Sequence, residues 1–370
     1  MTDNICTLPD GIKIFYTDSG APETSDYTTL VIFHGTGFNA FNFNPLHAHA
    51  HSNNLRIIAC NRREYHGSTP LTDDEVAELN SGSPAFLTKK ALLVAQFLEY
   101  LIKQQSTPRL TDNRQNGGFV VMGWSFGAAY PIALLAQSTA IPPELYQTIE
   151  PYLRAVVVNE PPIEALGLPP PPLPTLYNAF TDPEYPAFSA KFQNFQNWIS
   201  SYFEHPDLTS DDPAGLYVGK PLPESCGKSS TFSRWSAEEK ARYCEAKAPM
   251  RADLPVTAPA MQTHLNAQFK AAFFFNFNFS SSSSDLVSYA SSSHFPRTPI
   301  LYVCGTETAY PMLWAYKTAS AMYAHAAAGE RGDTASVRPT TFQLVEGGNH
   351  FMHYDMPDVL LREVVAGCVS

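Results

Sequence analysis

The chain reads Phe119-Val120-Val121-Met122 and then Gly123-Trp124-Ser125-Phe126-Gly127. The first part is an apolar run typical of a buried strand, and the Ala- and Leu-rich segment Gly127–Gln137 is typical of a helix. A serine on a sharp turn from strand to helix leaves room only for small residues two positions before and after it, and both are glycine. The sequence therefore predicts a strand at Gly118–Met122, a tight turn that exposes the Ser125 hydroxyl at the sheet edge, and a helix.

Ser125 needs a base, because a serine hydroxyl is a weak nucleophile at neutral pH unless its proton is removed as it attacks. The sequence Gly347-Gly348-Asn349-His350 follows a predicted strand, Ser336–Val345, and precedes a predicted helix, Asp358–Val365. The loops after parallel strands meet at one edge of a sheet, so His350 is expected at the same edge as Ser125. We predict Ser125 as the nucleophile and His350 as its base.

The other histidines are weaker candidates for this chemistry. His353 is expected near the start of the last helix, whereas His47, His49 and His51 fall in a predicted helix. No carboxylate or cysteine accompanies this trio, and a metal site would need such ligands. We therefore predict no metal site.

The attack of a serine on a carbonyl also needs two N–H groups that stabilise the oxyanion. The amide of Phe126, the residue after the nucleophile, is one expected donor. The second should come from the turn His34-Gly35-Thr36-Gly37 after the predicted strand Thr28–Phe33, where glycines let the backbone approach a substrate closely. Thr36 is the first choice and Gly37 is the alternative.

Short apolar runs alternate with helical patterns over much of the chain, as expected for a mostly parallel sheet covered by helices. The further predicted strands are Gly11–Tyr16, Thr28–Phe33, Leu55–Cys60, Leu153–Val158 and Ile300–Cys304. The further predicted helices are Ala85–Lys103 and Met312–Ala328. These elements belong to one α/β core domain, residues 1–162 and 298–370.

Residues 163–297 differ in character from the rest. They contain the prolines Pro169–Pro172, many aromatic residues, the run Phe273–Phe279 and a polyserine stretch, Ser280–Ser284. A polyserine stretch is typical of a flexible connector. The aromatic run fits either the core of this segment or the apolar wall of a pocket. We predict an inserted lid (cap) domain.

The segment Asn61-Arg62-Arg63-Glu64-Tyr65 follows the strand Leu55–Cys60. Charges of both signs at such close spacing favour an ion-paired surface loop. Binding of a polar substrate is the alternative interpretation.

In its order of motifs the chain resembles the serine α/β-hydrolase superfamily. The motifs are His34-Gly35-Thr36-Gly37, then Gly123-Trp124-Ser125-Phe126-Gly127, then an acid, and finally Gly347-Gly348-Asn349-His350. The resemblance covers about 235 residues outside the predicted lid. It implies an α/β-hydrolase fold with a mostly parallel eight-stranded sheet, helices on both faces, a Ser-acid-His triad, no cofactor and a pocket between core and lid. A serine nucleophile also separates the chain from the dehalogenase and epoxide-hydrolase branches, which use aspartate.

The resemblance leaves two candidates for the triad acid. Glu307, in Cys304-Gly305-Thr306-Glu307, follows the strand after the insertion, where the superfamily usually carries its acid. Glu160, in Asn159-Glu160-Pro161-Pro162, follows the preceding strand. That segment is similar to the His-Glu-x-Pro segment of fungal lactonases that open resorcylic macrolactones such as zearalenone. Glu160 is favoured because the prolines fix a strand-end geometry, whereas the loop after Gly305 is rich in threonine; Glu307 remains the alternative.

The function predicted from these residues is hydrolysis of a carboxylic ester, with a lactone as the favoured subclass. The aromatic and proline content of residues 163–297 points to a moderately sized apolar substrate. The first alternative is an acyltransferase that uses the same acyl-enzyme, and the second is a non-catalytic ligand-binding protein of the same fold. Fold alone does not distinguish these functions.

Composition excludes other function classes. The chain has 370 residues and a formal net charge of −11, with 35 acidic residues against 24 Lys and Arg. Without a basic cluster, neither nucleic acid nor an anionic membrane surface is an expected partner. No apolar run approaches the roughly 20 residues that span a bilayer, and the first ten residues lack the pattern of a secretory signal. We predict a cytoplasmic protein with reduced cysteines; the sequence does not indicate an oligomeric state.

Overall fold

A computed structural model describes residues 1–137, 140–222, 227–275, 295–328 and 337–369. Eight strands form one sheet in the order β1-β2-β4-β3-β5-β6-β7-β8. Strand β2 runs antiparallel to β1 and β4, and all other neighbouring strands are parallel. The strands are β1 (Thr2–Thr7), β2 (Lys13–Asp18), β3 (Thr28–Phe33), β4 (Leu55–Cys60), β5 (Phe119–Trp124), β6 (Leu153–Asn159), β7 (Ile300–Gly305) and β8 (Thr340–Val345). The predicted α/β fold with an eight-stranded, mostly parallel sheet is confirmed.

Fourteen α-helices accompany the sheet within the described residues. They are α1 (Asn44–Ala48), α2 (Asp73–Asn80), α3 (Ala85–Gln105), α4 (Ala129–Ala136), α5 (Pro143–Ile149), α6 (Ile163–Leu166), α7 (Phe188–Ile199), α8 (Thr231–Arg234), α9 (Ala237–Tyr243), α10 (Lys247–Ala252), α11 (Pro259–Phe273), α12 (Tyr310–Ala327), α13 (Met352–Asp355) and α14 (Pro357–Val369). Helices α6 to α11 lie between β6 and β7, in the segment predicted to be inserted.

The central strands are buried along their whole length, which explains why they read as continuous apolar runs in the sequence. Every residue of β3, β4, β5, β6 and β7 is buried. Parallel strands covered on both faces have this pattern. The predicted bounds of β3 and β4 agree with the structure to the residue.

Strand β1 was not predicted. Its sequence, Thr2–Thr7, is mostly polar and only Cys6 is fully buried, so it carries no apolar run. Antiparallel pairing with β2 over six residue pairs holds it at the edge of the sheet. The predicted strand Gly11–Tyr16 corresponds to β2, which begins two residues later, at Lys13. Residues 8–12 instead form the turn between β1 and β2.

The predicted helix Gly127–Gln137 divides into two parts. A 3-10 turn, Ser125–Ala128, comes first and is followed by α4.

Of the aromatic run Phe273–Phe279, Phe273 and Phe274 are buried in the core. The rest of that run beyond residue 275, the polyserine stretch and the predicted strand start at Ser336 lie outside the described residues.

Five cysteines in the described residues carry free thiols: Cys6, Cys60, Cys244, Cys304 and Cys368. Cys60 and Cys304 lie inside β4 and β7, and burial raises the pKa of both thiols well above the ordinary value. Within the described ranges, no helix has the length and apolar character needed to cross a bilayer.

Candidate active site

The strand register brings the predicted site residues to one edge of the sheet. Trp124, the last residue of β5, pairs with Asn159 of β6, which in turn pairs with Val303 of β7. Gly305, the last residue of β7, pairs with Val345 of β8. The residues that follow these strand ends, including Ser125, Glu160 and His350, therefore leave the sheet at its carboxyl edge.

Ser125 occupies a strained turn. Its φ angle is 56°, a left-handed conformation that costs a non-glycine residue energy and is held by the surrounding structure. A Cβ atom on Gly123 would lie less than 3 Å from backbone atoms of residues 127 and 128, and one on Gly127 would collide with the carbonyl oxygens of Phe33 and His34. Both glycines are therefore required by close backbone packing, as the pattern predicts.

Glu160 and His350 form a buried pair. Nδ1 of His350 lies 2.9 Å from Oε2 of Glu160, and the two side chains are 1% and 0% exposed. The amide of Gly305 donates to Oε1 of Glu160 at 2.5 Å, and the hydroxyl of Thr308 donates to Oε2 at 2.5 Å. A carboxylate only accepts hydrogen bonds, so this contact favours the imidazole tautomer that has its proton on Nδ1 and a lone pair on Nε2.

Glu307, the alternative acid, has another partner. Its carboxylate lies 2.7 Å from Nζ of Lys228 in a partly exposed ion pair. In the described part of the chain, Glu307 makes no hydrogen bond with His350. The loop after β7 instead contributes the backbone of Gly305 and the hydroxyl of Thr308, both directed at Glu160. The structure thus brings Glu160, and not Glu307, to His350.

Trp124 fixes the loop that carries His350. Its indole Nε1–H donates to the carbonyl oxygen of His350 at 2.8 Å, and the two rings lie 5.0 Å apart. His353, the weaker candidate base, is buried in α13 against Trp124 and Phe43. Burial first, and the nearby His350 second, lower its pKa well below the ordinary value. His353 therefore acts as a neutral packing residue.

The turn after β3 is held from behind by hydrogen bonds. The amide of Gly37 donates to the Tyr65 hydroxyl at 2.9 Å, so it is already occupied. In contrast, the amides of Thr36 and Phe126 have no hydrogen-bond partner among the residues that the structure describes. Thr36, Ser125 and Phe126 line the same cavity. Two unpaired N–H groups beside a serine are the arrangement that an oxyanion requires.

Gly35 lies directly against Ser125. A Cβ atom at this position would be 2.6 Å from Cβ and 3.1 Å from Oγ of Ser125. We expect Gly35→Ala to lower kcat/KM for a p-nitrophenyl ester about 10²-fold, because Ser125 must shift to relieve the clash. Steady-state kinetics on protein whose melting curve shows it folded would measure this. Wild-type kinetics in the variant would mean that Ser125 does not need its present position.

The cavity at Ser125 has a volume of about 260 Å³. Its lining combines residues from the segment between β6 and β7 with residues from outside that segment. The aromatic lining residues are Phe126, Tyr177, Phe180, Phe195, Trp198 and Tyr310. The lining is suited to an apolar ligand, because flat aromatic rings supply large apolar contact areas.

Glu164 of α6 adds a carboxyl group to this cavity. Burial raises the pKa of the carboxyl, and no cation among the described residues pairs with it. Burial, with a smaller contribution from Glu164, also raises the pKa of Tyr310 to about 12. A carboxyl group accepts hydrogen bonds, so Glu164 is able to contact a hydroxyl group on a mostly apolar ligand. Sequence reasoning did not single out this residue.

The prediction of a surface loop after β4 is wrong for Arg62, which is buried. Its side chain is 2% exposed and forms a bidentate ion pair with Asp253, at 2.6 and 2.9 Å. The Tyr65 hydroxyl donates to the same carboxylate at 2.5 Å, and Arg62 also donates to the carbonyl oxygen of Gly35. Burial alone would lower the pKa of Arg62, but the Asp253 carboxylate raises it above the ordinary value. This network supports the turn that holds Gly35 and Thr36.

We expect Arg62→Met to lower the free energy of unfolding by about 3–5 kcal/mol, because the Asp253 carboxylate is then buried without its cation. The double variant Arg62→Met/Asp253→Leu should recover a large part of that loss. Arg63→Met, which breaks a more exposed pair with Glu75, should cost only about 1 kcal/mol. Urea unfolding curves would measure all three. Equal losses in the single and double variants would contradict the account.

Comparison with known proteins supports the fold. A model of the alpha/beta hydrolase family matches residues 30–363. An epoxide hydrolase from Solanum tuberosum is 12% identical, with a TM-score of 0.53 over 99% of this chain and 98% of that one. An epoxide hydrolase from Vigna radiata is 13% identical, with a TM-score of 0.53 over 99% and 97%. A Burkholderia cenocepacia protein thought to be an aryl esterase is 14% identical, with a TM-score of 0.50 over 99% and 97%. No curated protein sequence matches the chain at a significant level.

Proposed function

This chain belongs to the alpha/beta hydrolase family, and from that premise we propose that it is a serine hydrolase that cleaves a carboxylic ester through an acyl-enzyme. The observation that carries the proposal is the buried hydrogen bond between His350 Nδ1 and Glu160 Oε2, at the sheet edge where Ser125 begins its turn. Such a pair gives a neighbouring serine the base that it needs.

In the proposed mechanism Ser125 attacks the carbonyl carbon while Nε2 of His350 takes the hydroxyl proton. Glu160 holds the imidazole in the tautomer with hydrogen on Nδ1 and stabilises the imidazolium that forms. The amides of Thr36 and Phe126 donate to the oxyanion, and His350 then passes its proton to the leaving alcohol. Water, activated by the same base, releases the acid from Ser125.

The lining of the cavity supports a proposal for the substrate class. Its aromatic wall suits an apolar ester of moderate size, and the Glu164 carboxyl suits a hydroxyl group on that ligand. A lactone is the favoured subclass, because the segment Asn159-Glu160-Pro161-Pro162 is similar to the segment in which the resorcylic-macrolactone lactonases carry their acid. We further propose that residues 163–297 act as a lid over a core formed by residues 1–162 and 298–370. The shared lining of the cavity supports this division.

Epoxide hydrolysis is a different possibility raised by the two structural neighbours. Opening an epoxide through a covalent ester needs a carboxylate nucleophile, and this chain has the hydroxyl of Ser125 at the turn. The ester reaction therefore fits the side chain better. Acyl transfer to an alcohol remains the second candidate, because it would use the same acyl-enzyme.

Trapping the acyl group would test the proposal. Wild-type protein mixed with p-nitrophenyl butyrate and quenched in acid should carry a butyryl group on the peptide that contains Ser125. Release as butyrate, both with and without added short-chain alcohol, supports a hydrolase, whereas transfer to the alcohol in preference to water supports an acyltransferase. A folded protein that never acquires the butyryl group would refute both and favour a ligand-binding protein.

A further inference from the structure

A second cavity lies on the other side of the Arg62–Asp253 pair. Its volume is about 520 Å³, within the range of roughly 300–1,000 Å³ that is common for small-molecule sites. Asp253 faces the Ser125 cavity and Arg62 faces this one, and the two cavities share no lining residue. The apolar part of its wall consists of Ile12, Leu71, Phe86, Leu92, Leu93 and Ala252.

Four cationic side chains also line the second cavity, and three of them have a carboxylate partner. Arg62 pairs with Asp253, Arg63 with Glu75, and Lys89 with Glu78. The fourth is Lys90 of α3. Within the described ranges of the chain, its Nζ has neither an ion pair nor a hydrogen bond.

Lys90 is nevertheless buried, with 5% of the residue exposed. Its Nζ lies 4.5 Å from the ring centroid of Phe86 and 5.1 Å from that of Tyr130. Aromatic faces attract a cation, but they do not replace oxygen acceptors for its three N–H donors. Burial first, and the Arg62 charge second, lower the pKa of Lys90 to about 7. An anion in the cavity would stabilise the protonated form of this buried amine, which has no oxygen acceptor among the described residues.

We propose that this cavity binds a monocarboxylate with an apolar body, and that Lys90 is the counter-charge for its carboxylate. A single negative charge matches the one cation whose charge is not already balanced by a carboxylate. The apolar wall matches an alkyl or aryl body of the ligand. Asp10 also lines the cavity, but it is exposed and forms no ion pair with Lys90. The inference does not depend on the reaction proposed for Ser125.

Calorimetric titration with octanoate tests the proposal, with octanamide as the uncharged probe of the same length. The wild-type protein should bind octanoate at least about tenfold more tightly than octanamide, the preference expected for one charge-assisted contact. In Lys90→Met this preference should disappear. In Lys89→Met, which removes the adjacent cation on the same helix, it should persist.

Other outcomes would overturn the proposal. If neither probe binds to the wild-type protein, the cavity is not such a site. If octanoate binds equally well to the wild type and to Lys90→Met, it binds elsewhere, for example at Ser125. Melting curves check the fold of each variant. A general loss of packing in Lys90→Met would weaken the binding of both octanoate and octanamide, whereas loss of the counter-charge would remove only the preference for octanoate.

Discussion

Replacing Ser125 by alanine should lower kcat for p-nitrophenyl butyrate at least about 10⁴-fold, the scale of loss when a nucleophile is removed from a triad. The variant keeps the cavity and the amides of Thr36 and Phe126, so KM should change little. The loss should fall on kcat because the covalent step needs the hydroxyl itself. Alanine also relieves no strain in the turn, since it has the same difficulty as serine at a positive φ.

Stopped-flow or steady-state assays would measure this change, with Ser52→Ala as the matched control. Ser52 is exposed and precedes β4, whereas Ser125 follows β5, so the two serines lie at opposite ends of the parallel strands. We expect Ser52→Ala to be as active as the wild type. Activity of Ser125→Ala within tenfold of the wild type would mean that another group performs the attack.

Glu160→Gln should lower kcat about 10⁴-fold with KM nearly unchanged. Gly305 N–H and Thr308 O–H both donate to the native carboxylate, and His350 supplies a third hydrogen bond. An amide has only one acceptor oxygen and brings its own N–H groups. One of them would face His350 Nδ1 and favour the tautomer that cannot take the Ser125 proton at Nε2.

Glu307→Gln is the matched control for this variant. It removes a partly exposed ion pair with Lys228, and such pairs contribute only about 0–1 kcal/mol. Activity within about twofold of the wild type is expected. A large loss of kcat in Glu307→Gln together with a small one in Glu160→Gln would reverse the assignment of the acid.

The sequence was sufficient for the turn at Ser125 because each requirement there is local. A buried strand, two glycines and a helix start occur within a few neighbouring residues, and packing of the strand against adjacent backbone explains the glycines. The bounds of β3 and β4 were equally predictable, because buried parallel strands have an apolar residue at almost every position. The edge strand β1 lacks that signal and depends on its pairing with β2.

The residues that support the site through ion pairs and hydrogen bonds, such as Asp253 and Thr308, could not be predicted, because they come from distant parts of the sequence. Asp253 pairs with Arg62 from 191 positions away, and nothing in either segment indicates the other. The donors around the two candidate acids separate them more clearly than their sequence contexts do. Thr308 hydrogen-bonds Glu160 across a separation of 148 residues, and only the fold brings them together.

Labelling with a fluorophosphonate probe, followed by peptide mass spectrometry, tests the central claim most directly, because it needs an activated serine and oxyanion donors but no knowledge of the substrate. The account predicts one adduct, on Ser125, that forms far more slowly in Glu160→Gln and at the wild-type rate in Glu307→Gln. The account would be contradicted if the folded wild-type protein remained unlabelled. It would also be contradicted if the probe labelled another residue, and did so equally fast in the wild type and in Ser125→Ala.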